Sequence, residues 1–172
     1  MSIFTDWTDE HSEKFQNDIM TVHHKLEASG LFTDAALANM LDNHPTEMLD
    51  VCTMGEHKLY PNKFRTGDFR DCDGKTLLEM VKAGKLWVNA RKAMNTQPEY
   101  RKLLDQMYGE LAAKTGNKEF NANGGILMSS RIARVPYHTD RQHTVLWHVR
   151  GTKRVYIYPM TQEFITDASY EA

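Results

Sequence analysis

Cysteine is scarce in this chain. Its 172 residues hold two, Cys52 and Cys72, and they form no CxxC pair. That excludes a disulfide scaffold and a cysteine-rich zinc knuckle. A Cys52–Cys72 bridge stays open on the sequence, but two lone thiols suit a reducing compartment. An excess of one charge is also lacking. The 21 basic and 23 acidic side chains leave a net charge of −2, too little field to gather nucleic acid or coat an anionic membrane. No apolar run approaches the roughly 20 residues of a membrane-spanning helix. The first residues, MSIFTDWTDEHSEKF, contain no apolar stretch of the signal-peptide kind. The cytoplasm is therefore the expected compartment. Repeats, low-complexity tracts and an obvious interdomain linker are absent as well.

What is present suits one domain over residues 1–172. Apolar residues make up 41% and charged residues 26%, which allows a buried core. Residues 1–120 read as mainly helical. Phe15, Ile19, Val22 and Leu26 recur at helical spacing, with Gly30 as a stop. Thr33 and Asp34 open a second helix, with Leu37, Met40 and Leu41 on one face and His44-Pro45 as its break. TEMLDVCT, residues 46–53, reads as a strand, and residues 55–75 as loop. A short helix is predicted over Lys75–Lys82 with Gly84 after it, then a strand at Leu86–Val88. The clearest helix runs from Pro98 to Lys114, with Gly116 just beyond it. After Gly124-Gly125 the character changes. Residues 126–137, 144–149 and 154–158 are rich in β-branched and aromatic residues, and Gly151 marks a turn between the last two. The fold class expected is α+β, with a helical part leading into β-structure over 121–172.

The chemistry concentrates at Pro136-Tyr137-His138-Thr139-Asp140. In an extended chain, residues two apart point to one side, so His138 and Asp140 aim an imidazole and a carboxylate at one place. One nitrogen and one oxygen donor suit Fe(II), whose oxygenase sites use two histidines and one carboxylate. A bare HxD also arises by chance at a solvated strand end.

The surrounding block decides between these readings. It resembles the cupin-like, jumonji C-type oxygenases, which use Fe(II) and 2-oxoglutarate on a double-stranded β-helix (cupin or jelly-roll) core. The likeness lies in the HxD after a proline, in the turn His148-Val149-Arg150-Gly151-Thr152-Lys153, and in Val155-Tyr156-Ile157-Tyr158-Pro159. In the asparaginyl-hydroxylase branch the lysine after that turn binds the distal carboxylate of 2-oxoglutarate. The distance along the chain from His138 to Lys153 equals that branch's spacing. Upstream, Leu86-Trp87-Val88-Asn89 and Gly125-Ile126-Leu127-Met128-Ser129-Ser130 resemble stretches ahead of the HxD in a bacterial cupin-like subgroup. The likeness covers residues 75–165 and is most specific over 126–159.

The resemblance implies His138 and Asp140 as metal ligands, and Lys153 with Thr144 as the 2-oxoglutarate contacts. Val135 and Thr144 replace the branch's threonine and asparagine. The substrate would be a small molecule or a protein side chain, hydroxylated at a C–H bond. The competing reading is a cupin-like module that binds a metal or small molecule, or serves in assembly, without turnover.

The family's second histidine lies many tens of residues beyond its HxD, whereas 32 residues follow Asp140 here and no histidine follows His148. Three explanations are open. The chain is the start of a longer protein, another chain or a homodimer partner completes it, or it is a shortened relative.

His143 and His148 are the in-chain candidates for a third ligand, with His148 read as an interior polar residue and His143 as a loop residue. His23 and His24, adjacent on a predicted helix, point about 100° apart and cannot easily share a metal. His11, His44 and His57 have no partner at ligand spacing. Asp68, Asp71 and Asp73 do not match a calcium-loop spacing. Arg131, Arg134, Arg141, Arg150 and Arg154 read as exposed positions with local ion pairs. The ten methionines read as core filler.

Overall fold

A computed structural model describes residues 2–53, 65–67, 71–84, 86–117, 121–131, 133–135, 138–140, 143–159, 161 and 163–164. The chain divides into two units, Met1–Pro136 and Tyr137–Ala172. The first holds every helix and strand among the described residues. In chain order these are α1 (Asp9–Lys14), α2 (Asp34–Asp42), β1 (Leu49–Thr53), β2 (Arg65–Gly67), α3 (Gly74–Ala83), β3 (Leu86–Ala90), α4 (Ala93–Thr96), α5 (Pro98–Thr115) and β4 (Ile126–Ser129). The architecture is α+β. Its sheet has four antiparallel strands in the order β2-β1-β3-β4.

The sheet is built around β3. Its alternate residues Leu86, Val88 and Ala90 are buried, as the period of two requires. Val88 sits in register between Val51 and Met128, both buried, so one face of the sheet forms a continuous apolar row. Leu127, on the other face, is exposed. Helix α3 packs against β3 and β4 through this unit's core, where Leu77, Leu78 and Val81 are buried. Its first turn is capped by Asp73, whose carboxylate accepts from the Thr76 amide at 2.7 Å.

Helices α2 and α3 meet at Gly74. A Cβ there would stand 2.2 Å from the Ala38 carbonyl oxygen and 2.9 Å from Leu41 Cβ. The Gly74 amide instead donates to Asp42 Oδ1 at 2.6 Å.

Helix α5 runs as the sequence predicts. Pro98 occupies its first turn, and Gly116 at φ +72° closes its end. Tyr100, Leu103, Leu104, Met107 and Leu111 are its buried stripe. The buried Tyr100 hydroxyl donates to the Leu31 carbonyl at 2.6 Å, and desolvation raises its pKa to about 12. Between α4 and β4, Asn95 acts as a clamp. Its side chain donates to the Ala122 carbonyl at 2.8 Å and accepts from the Gly124 amide at 2.9 Å.

The N-terminal segment is held by Glu110 of α5. Its carboxylate accepts from the Ile3 and Phe4 amides, at 2.6 and 3.3 Å, and from the Ser2 hydroxyl. Burial pushes the Glu110 pKa up, but these three donors and the Lys114 charge outweigh it, and the net direction is down.

Several expectations need correction. Phe15–Leu26 is not a helix. Helix α1 lies upstream, Gln16 has φ +66°, and Ile19 is exposed. Of the four apolar residues only Leu26 is fully buried, so no continuous helical stripe meets the core there. His24 instead bridges to Phe4. Leu26–Ser29 is a single 3-10 turn, ended by Gly30 as expected. The predicted loop over 55–75 contains β2, which pairs with β1; most of its remainder lies outside the described residues. Of the strand expected over 126–137, Ile126–Ser129 forms.

The strands expected over 144–149 and 154–158 are not formed; residues 143–159 carry none. Each had the other as its expected partner, and a lone two-stranded ribbon is marginal in water. Of the expected turn, Gly151 at φ +84° remains.

Two outcomes follow from this packing. Gly74→Ala forces α2 and α3 apart and should cost about 3 kcal/mol in urea unfolding. Glu110→Gln should cost about 1 kcal/mol at neutral pH. A carboxylate whose folded pKa is lowered stabilises above its unfolded value and loses that effect as pH falls through the folded one. The wild-type advantage should therefore be complete above the ordinary glutamate value of 4.5 and vanish below it. A gap unchanged down to pH 2 would refute this role for Glu110.

Candidate metal centre

The HxD block lies in the second unit. His138 Nε2 stands 3.7 Å from Asp140 Oδ1, and both side chains are about half exposed, at 56% and 52%. The imidazole and the carboxylate predicted to lie on one side are thus near each other. Two donors each about 2.1 Å from one metal ion lie roughly 3 Å apart, so a shift of less than 1 Å would let this pair share an ion.

The remaining implied residues belong to the same unit. Thr144 and Lys153 are both exposed. The ammonium of Lys153 has the charge and reach to meet a carboxylate, but in this arrangement it works in water, where such a pair is weak. The arginines noted near the block, Arg131, Arg134, Arg150 and Arg154, are exposed as expected. Arg141 lies outside the described residues.

A third donor is not brought to the pair among the described residues. Among the described residues, no group of three or more His, Cys, Asp and Glu side chains could hold a metal ion. His143 is exposed. His148 is also exposed, not interior, and its Nε2 lies 3.1 Å from the Gly151 carbonyl. A carbonyl only accepts, so that nitrogen carries the proton and cannot ligate while the contact holds. His138 and Asp140 therefore fit two places of a ferrous set by donor type, and leave the third place to another source.

The other histidines and acids have separate tasks. His23 Nδ1 pairs with Asp6 Oδ2 at 2.5 Å, which holds the exposed Asp6 carboxyl below its usual range. His23 and His24 are not on a helix, so the angular argument against their sharing a metal does not apply. His11 Nδ1 accepts from the Thr8 amide at 3.0 Å at the start of α1. His44 is 5% exposed, and among the described residues its Nδ1 has no hydrogen-bond partner. Its Nε2 lies 3.3 Å from the Met48 carbonyl, so it reads as a core residue just after α2. Asp73 is a helix cap, Asp71 is exposed, and Asp68 and His57 lie outside the described residues. Cys52 and Cys72 are free thiols, both pushed up in pKa chiefly by burial. Neither has the electropositive setting of a reactive thiolate.

One feature the sequence reading missed is Ser130, just after β4. Its hydroxyl is buried without a hydrogen-bond partner, while its amide donates to the Leu86 carbonyl at 2.7 Å. Nothing in the residue pattern distinguishes it from the exposed Ser129.

No protein-family model matches the chain, and neither a curated protein nor a solved structure matches it. Among the described residues, no helix is long and apolar enough to cross a membrane.

If His138 and Asp140 share an ion, Mn²⁺ should selectively broaden the His138 ring resonances in proton NMR. Asp140→Ala should abolish that selectivity. Equal broadening of His138, His143 and His148 would argue against a shared site.

Proposed function

We propose that this chain carries the iron-ligating start of a non-haem Fe(II), 2-oxoglutarate-dependent oxygenase of the cupin-like, jumonji C type. The observation that supports this most is the His138–Asp140 pair at 3.7 Å, inside a block whose lysine stands at the family's spacing. In this reading His138 and Asp140 hold the metal through Nε2 and a carboxylate oxygen. Lys153 neutralises the distal carboxylate of 2-oxoglutarate, and the Thr144 hydroxyl adds a hydrogen bond. Iron bound there supplies the oxidative chemistry that hydroxylates a C–H bond of a small molecule or a protein side chain. Residues 144–149 and 154–158 become strands of a double-stranded β-helix once a further segment, from this chain or another, pairs with them and brings the third ligand. Burial would then strengthen the Lys153 contact, because charge pairs gain as water is excluded. The near balance of charge supports a protein that binds neither nucleic acid nor an anionic membrane, and the two free thiols support the cytoplasm.

A second reading is a cupin-like module that binds a metal or small molecule, or serves in assembly, without turnover. Its support is the exposure of both ligands and the lack of a third donor among the described residues.

Anaerobic titration separates the two. The oxygenase reading expects Fe(II) with 2-oxoglutarate to give the weak visible band of a chelated 2-oxo acid. His138→Ala and Asp140→Ala should each remove the band. Lys153→Ala should raise the 2-oxoglutarate concentration needed for half its intensity by about tenfold or more, the loss of one charge-assisted contact. A wild-type protein that binds Fe(II) but gives no band at saturating 2-oxoglutarate would leave the module.

A further inference from the structure

We draw no further inference here: the strongest candidate, the exposed apolar patch at Val155–Ile157 beyond the Gly151 turn of the second unit, carries none because nothing in the structure shows what covers it.

Discussion

Strand β3 is the constraint on which the first unit depends. Both of its edges are hydrogen-bonded, to β1 and to β4, and Val88 and Ala90 are fully buried. A five-residue strand cannot satisfy its own backbone, and a burial this complete is tolerable only because both neighbours supply partners. Helix α3 then has a flat apolar surface to cover. Helix α2 packs in turn on α3, and the two meet closely at Gly74. The Asn95 clamp also serves this sheet, since it fixes the chain just before β4 enters its register.

The second unit shows what happens to similar residues without that condition. Val155-Tyr156-Ile157-Tyr158 has stronger β-propensity than Leu86-Trp87-Val88-Asn89, yet it is not a strand here. Strand propensity measures fit to a pleated, half-buried surface more than a preference of the backbone. β3 has a neighbour on each side and helix α3 against it. The stretch over 143–159 has a turn at Gly151 and no ladder.

This difference explains how much was legible in the sequence. Helices α2, α3 and α5 were, because each carries its own signals: Thr33 as a cap, Gly84 after α3, Pro98 and Gly116 as bounds, and apolar stripes that are buried; the Asp73 cap of α3 was not read from the sequence. β3 was recognisable as a short apolar run. The segment Phe15–Leu26 misled because four apolar residues at helical spacing say nothing about whether a core faces them. Ile19 faces solvent while Leu26 is buried from a separate 3-10 turn, so the four never form one buried stripe. β2 was hidden because Arg65-Thr66-Gly67 has no strand character of its own and forms by pairing with β1. The candidate site was legible in part. Spacing alone predicted that His138 and Asp140 share a side, since that depends only on extended backbone. The inward placement of His148 required a formed barrel strand, and it failed with that strand.

The same logic bears on what the His138–Asp140 pair can do. Two exposed donors close together in the chain compete with water for an ion and lose chain entropy when they bind it, so affinity from this pair alone is low. A third ligand on a separate strand would change that in two ways. It would close the coordination set, and the strand carrying it would cover the apolar residues that now face solvent. Ligand supply and core completion are therefore one event in the oxygenase reading. The exposed run at Val155–Ile157 and the His138–Asp140 pair lie in the same unit.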